Sequence, residues 1–155
     1  METKEGRYQR ILNFIDQYLE SGDFYNVTLI SHTLNLIKNE FNYIDWAGIY
    51  EKTPKVKTLF LSYYVGELGC DIISFDKGVC GKCATTKETQ FCNDVSKVPY
   101  HIACSDTTKS EIVVPIISNK KLLAVLDIDS DILNAFDEID QKYLEEISTR
   151  LSLVL

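Results

Sequence analysis

The chain is poor in proline, with three in 155 residues. It has no internal repeat, no linker-like stretch and no low-complexity segment, so composition does not divide it into parts. No run of 18 apolar residues occurs, which excludes an ordinary membrane-spanning helix. The amino terminus, Met-Glu-Thr-Lys-Glu-Gly-Arg-Tyr, lacks the apolar core of a signal peptide. Basic residues are outnumbered, 16 Lys and Arg against 23 Asp and Glu, for a formal charge of -7. A basic stripe for nucleic acid is therefore not expected. The adjacent Lys120 and Lys121 follow Asn119 and read as a solvated turn. A cytoplasmic, reducing location with no membrane partner is the expectation. There, clustered cysteines are more often catalytic or metal-binding than structural.

Cysteine is missing from most of the chain and concentrated in one part of it. Cys70, Cys80, Cys83, Cys92 and Cys104 all fall within 35 residues, together with Gly78, Gly81 and His101. Glu111 lies just beyond, followed by the run Val125-Leu126-Asp127-Ile128-Asp129. The length suits one domain spanning residues 1–155. A chain of this size buries roughly two-thirds of its unfolded surface, so neither disulfides nor a metal is needed for folding.

The hydrophobic pattern changes period along the chain. Tyr8, Ile11, Leu12, Ile15, Tyr18 and Leu19 form one helical stripe, interrupted by Ser21-Gly22-Asp23. A second helix is expected over about 25–41, with Leu29, Ile30, Leu34 and Ile37 inward. Residues 44–50 and 56–64 read as strands, and 72–75 as a short one. Asp76-Lys77-Gly78 turns the chain into a short helix over about 79–86. Residues 91–109 show no firm period, and a loop of that length is unusual unless it serves a site. Residues 111–117 and 122–128 read as strands joined by a hairpin turn at Ser118-Asn119-Lys120. A last helix is expected over about 137–153. The order predicts an α+β fold: an antiparallel sheet with long helices on one face, the other face left for the cysteine-rich segments.

Two chemistries compete for the cysteines. Cys80-Gly81-Lys82-Cys83 and His101-Ile102-Ala103-Cys104 offer a Cys3His zinc set. However, the first pair sits at a helix and the second lacks the turn residues of a zinc knuckle. In the redox reading, the Cys-x-x-Cys follows a glycine turn rather than a parallel strand, which argues against a thioredoxin-like fold. Cys104 is then a candidate attacking thiolate, with Cys70 or Cys80 the resolving thiol brought near by folding. An ordinary cysteine is only about 3% thiolate at neutral pH, so a nucleophile there needs a lowered pKa, and His101 is a candidate neighbour. For any single cysteine the bland alternative is a small buried apolar side chain. It is weakest for Cys104, in a polar loop.

Asp127 and Asp129 alternate with Ile128 and so share one face of a strand. Two such carboxylates repel each other and resist desolvation unless something positive meets them. They read either as a solvated strand end or, with Glu111, as a cluster that grips a cation or lends a proton. Trp46 and Tyr50 are candidates for core packing or for the wall of a small pocket.

Taken together, these pieces resemble the free methionine-(R)-sulfoxide reductases, enzymes of GAF fold. The resemblance is carried by Asp45-Trp46-Ala47-Gly48-Ile49-Tyr50, by Cys70, by Gly78-Val79-Cys80-Gly81, by His101-Ile102-Ala103-Cys104-Ser105, by Ser110-Glu111-Ile112-Val113-Val114-Pro115 and by Ala124-Val125-Leu126-Asp127-Ile128-Asp129-Ser130. It covers roughly residues 40–140. It implies a GAF-like domain with Cys104 as nucleophile, Cys70 as main resolving residue and Cys80 as an accessory one. Glu111, Asp127 and Asp129 would bind and activate the substrate, and Trp46 and Tyr50 would line its methyl-thioether side. Cys83 and Cys92 fall outside the pattern. The implied activity is reduction of free methionine-(R)-sulfoxide, through a sulfenic acid and a disulfide reopened by thioredoxin or a similar dithiol, with no cofactor and no metal. Such domains often pair through their long helices, which makes a homodimer a candidate assembly. The competing class is a non-enzymatic GAF module that binds a small ligand and signals. The lack of an attached output domain argues against it.

Overall fold

Two residues set the central hairpin. Asn119 and Lys120 both adopt left-handed backbone, φ 50° and 64°, as a two-residue turn needs if its twist is to match the strands it joins. They connect β5 (Ser110–Ser118) to β6 (Lys121–Ser130). The computed structural model describes residues 1–100 and 104–155. The remaining elements are α1 (Lys4–Glu20), α2 (Asn26–Glu40), β1 (Trp46–Lys52), β2 (Thr58–Val65), β3 (Ile72–Ser74), α3 (Gly78–Thr86), β4 (Gln90–Cys92) and α4 (Glu138–Leu151). The sheet runs β3-β2-β1-β6-β5-β4, with every neighbouring pair antiparallel. This is the expected α+β architecture.

The two faces of the sheet carry different layers. On one, α1, α2 and α4 bury Tyr8, Ile11, Leu34, Ile37, Leu144 and Ile147 against Ala47, Ile49, Ile112, Val114, Leu126 and Ile128. Each aliphatic side chain so buried is worth about 1.5–3 kcal/mol. On the other face a smaller apolar cluster joins Val79, Cys80, Cys83 and Ala84 of α3 to Tyr50, Leu59, Ile73, Cys92, Val113 and Val125. Being covered on both sides, β5 and β6 are buried nearly throughout.

The helix ends have local causes. The Thr3 side chain accepts from the Gly6 amide to start α1. Asp137 and Asp140 form a reciprocal capping box at the start of α4. Asp140 also ties the two helices together. Fully buried, it accepts from Tyr8 Oη at 2.6 Å, Tyr43 Oη at 2.7 Å and Lys4 Nζ at 2.5 Å.

Three expectations change in detail. Residues 91–109 are not one loop: β4 adds an edge strand, and Val95–Lys97 forms a 3-10 turn. The strand predicted from 56 begins at Thr58 because Lys57, at φ 44°, is still in the turn, leaving Val56 exposed. The strand predicted from 44 begins at Trp46, while Ile44 packs into the helical core.

Candidate active site

Side chains alternate along a strand, so the sheet face away from the long helices collects Trp46, Gly48 and Tyr50 from β1, Asp127 and Asp129 from β6, and Glu111 and Val113 from β5. Register then aligns them. Trp46 lies opposite Asp129, Asp129 opposite Glu111, and Glu111 opposite Cys92, one row across four strands. In the next row Asp127 lies between Gly48 and Val113. Gly48 has a steric reason: a Cβ there would come within 2.2 Å of the Trp46 indole. The missing side chain lets the ring lie along the strand, where its Nε1 donates to the Glu67 carbonyl at 2.7 Å. Its centroid is 6.1 Å from that of Tyr50.

The short α3 sets the depth of Cys80. Gly81 lies so close to the end of β3 that a Cβ would meet the Ser74 and Phe75 carbonyl oxygens at 2.7 and 2.8 Å. That approach presses Cys80, with a 3% exposed side chain, down onto the acids. The thiol of Cys80 and the carboxylates of Glu111 and Asp127 offer donor atoms within 4.8 Å of one another.

Cys104 is bonded to Cys70 in a disulfide with a Cα–Cα distance of 5.3 Å, inside the ordinary range. Cys104 stands on the wall of a cavity of about 560 Å³, with Trp46, Tyr50, Asp127 and Asp129. That volume is ordinary for a small-molecule site. A void of about 30 Å³ lies beside it, bordered by Cys104, Cys80, Thr108, Glu111, Asp127 and Asp129. The predicted thiol and acid residues thus share one side of the sheet. The larger cavity is strongly acidic: Asp45, Glu67, Asp106, Asp127, Asp129 and Asp131 line it, and none of its described lining residues is basic.

Burial dominates the electrostatics. Desolvation raises the Glu111 carboxyl to about 8, with the charge of Asp129 adding to it. Asp127 and Asp129 are also held well above the usual carboxylate range, by burial first and then by Glu111 for Asp127 and by Asp127 for Asp129. Burial likewise raises the Cys80 thiol, reinforced by the acids beneath it. At neutral pH burial thus favours the protonated form of these acids. Asp127 Oδ1 and Asp129 Oδ1 are buried without a hydrogen-bond partner among the described residues. Glu111 and Asp127 are therefore not part of a solvated strand end, while Asp129 is half-buried on the cavity wall.

The proposed Cys3His set does not assemble. Cys104 is committed to Cys70, and Cys83, fully buried, packs in the apolar cluster with Cys92. His101 lies outside the described residues. Those two extra cysteines follow the bland reading, as small core side chains.

A family model of the GAF domain matches residues 28–155. The free methionine-R-sulfoxide reductase of Saccharomyces cerevisiae is 50% identical over 107 residues, which make up 68% of this chain and 59% of that protein. The Escherichia coli protein of the same name is 31% identical over 137 residues, covering 88% of this chain and 82% of that one.

The chain belongs to the free methionine-R-sulfoxide reductase family of GAF domains.

An X-ray structure of free methionine-R-sulfoxide reductase from Neisseria meningitidis, in complex with its substrate, is 34% identical and superposes with a TM-score of 0.90, covering 99% of this chain and 90% of that one. Within this family fold, the cavity also takes in Thr108 and Asp45, which are not among the site residues expected from the sequence. Thr108 borders both the cavity and the small void. Asp45 accepts from the Asp131 amide at 2.7 Å and so pins the end of β6 to the start of β1. Asp45 sits in the Asp-Trp-Ala-Gly motif and could have been chosen from it. Thr108 lies in an aperiodic polar stretch that offers nothing to single it out.

Proposed function

We propose that this chain reduces free methionine-(R)-sulfoxide to methionine, with Cys104 as nucleophile and Cys70 as resolving thiol. The observation that carries this reading is the Cys70–Cys104 disulfide standing on the wall of an acid-lined cavity that also presents Trp46 and Tyr50.

In the reduced chain the Cys104 thiolate attacks the sulfoxide sulfur while a carboxylic acid among Glu111, Asp127 and Asp129 protonates the oxygen. General acid catalysis of this kind contributes about 10²–10⁴-fold. Oxygen passes to Cys104 as a sulfenic acid, and the thioether leaves as methionine. The Cys70 thiol then displaces that oxygen as water, forming the disulfide, and Cys80 stands below as an accessory thiol. Thioredoxin or a similar dithiol reopens the bond by exchange, taking the disulfide onto itself. The acidic lining favours the free ammonium of an amino acid, a charge that becomes an uncharged amide within a polypeptide. Trp46 and Tyr50 supply the apolar wall for the methyl-thioether end. On this reading residues 1–155 work as one GAF-like unit in a reducing compartment such as the cytoplasm.

The test is NADPH consumption in a thioredoxin-coupled assay with free methionine sulfoxide. Wild type turns over, Cys104→Ser does not, and Cys70→Ser yields about one methionine per chain before stalling with a small dithiol absent. Undiminished activity in both variants overturns the assigned roles. No turnover by wild type, with tight binding of another small ligand, favours a sensing module instead.

A further inference from the structure

Beneath the cavity, Cys80, Glu111 and Asp127 hold their donor atoms within 4.8 Å of one another, all three side chains buried. A tetrahedral zinc ion with ordinary bonds, about 2.3 Å to sulfur and about 2.0 Å to oxygen, keeps its donors about 3.5 Å apart. Small side-chain adjustments therefore bring the three into register. Two further observations point to an occupant. Asp127 is 5% exposed, yet its Oδ1 has no hydrogen-bond partner among the described residues. Cys80, Glu111, Asp127 and Asp129 also border a void of about 30 Å³, the room taken by one water or one ion.

We propose that Cys80, Glu111 and Asp127 form a binding site for a single divalent transition-metal ion of zinc type, with Asp129 or a water in the remaining position. The donor set selects the class. One thiolate disfavours magnesium and calcium, which want oxygen alone, and the small volume favours four-coordination. The site differs from the Cys3His set suggested by sequence spacing, because it uses neither Cys83 nor Cys104. It stands apart from the reductase reading, but its consequence rests on that reading. An ion held there withdraws Glu111 and Asp127 from proton transfer, so the metal-free chain is the active form and zinc inhibits it.

Cobalt(II) is the probe, titrated into the disulfide-intact chain, where Cys80, Cys83 and Cys92 are the free thiols. The expected result is a thiolate-to-cobalt charge-transfer band in the near ultraviolet, displaced by zinc. It disappears in Cys80→Ser, persists in Cys83→Ala and Cys92→Ala, and needs at least tenfold more cobalt in Asp127→Asn. No band in wild type, a band that survives in Cys80→Ser, or a band lost in Cys83→Ala overturns the site. If circular dichroism shows Cys80→Ser to be misfolded, the Asp127→Asn titration decides: unchanged affinity there overturns the proposal. In parallel, zinc should slow sulfoxide turnover by wild type. A cobalt band without any sulfoxide turnover sinks the reductase reading and leaves the metal site standing. Turnover indifferent to zinc at a filled site sinks the inhibitory consequence.

Discussion

Replacing Glu111 by glutamine should make the protein more stable at neutral pH and less active. Burial raises this carboxyl from its ordinary 4.5 to about 8. Between those values the unfolded chain has released the proton and the folded chain still holds it. The stability associated with this group is therefore complete below about 4.5 and is lost as pH rises toward 8, at about 1.4 kcal/mol per pH unit. At pH 7 that is two and a half units above the ordinary value, or roughly 3 kcal/mol. Glu111→Gln keeps the shape and a hydrogen-bond donor but has no proton to hold. In chelator-treated buffer, the disulfide-intact variant should match wild type near pH 5 or fall slightly below it. At pH 7 it should exceed wild type by up to roughly 3 kcal/mol, several degrees in Tm for a chain of this length. Urea denaturation of both proteins from pH 4.5 to 8 measures the difference, and the coupled assay measures the accompanying loss of turnover. A variant less stable than wild type at pH 7, or one with an unchanged pH slope, would show that the folded protein holds Glu111 ionised and well paired. The account of the cluster as a proton store would then be wrong.

Two other substitutions probe the scaffold. Asp140→Ala leaves the buried Tyr8 hydroxyl without its partner and removes one half of the α4 capping box. The expected loss is about 3–5 kcal/mol by chemical denaturation, and less than 1 kcal/mol would show that the network contributes little. Gly81→Ala drives a methyl group against the Ser74 and Phe75 carbonyls and should cost about 1–3 kcal/mol. Because α3 carries Cys80, the same change should weaken cobalt binding, and unaltered affinity would mean that α3 depth does not position the thiol.

Much of the fold is legible from local pattern. The helical stripe through Tyr8, Ile11, Leu12 and Ile15 is the face that α1 buries. The alternation of Val125, Asp127 and Asp129 with Leu126 and Ile128 sorts β6 correctly between its two faces. Asn119 signals the hairpin because its side chain tolerates left-handed backbone. β4 leaves no mark in the sequence because a three-residue edge strand is too short to show a period, and it forms through its ladder to β5.

The site divides along the same line. Sequence by itself determined which residue types were available, which side chains share a strand face, and that cysteines crowd one region. These are properties of near neighbours, set by a 3.6-residue or two-residue repeat. Only tertiary structure decided that the Cys70 and Cys104 sulfurs meet, that Glu111 stands beside Asp129 across a ladder, and that Glu111 and Asp127 are buried rather than solvated. Strand order, register and the depth at which α3 sits depend on contacts between segments far apart in the chain, and desolvation by those contacts is what raises the acids' proton affinity.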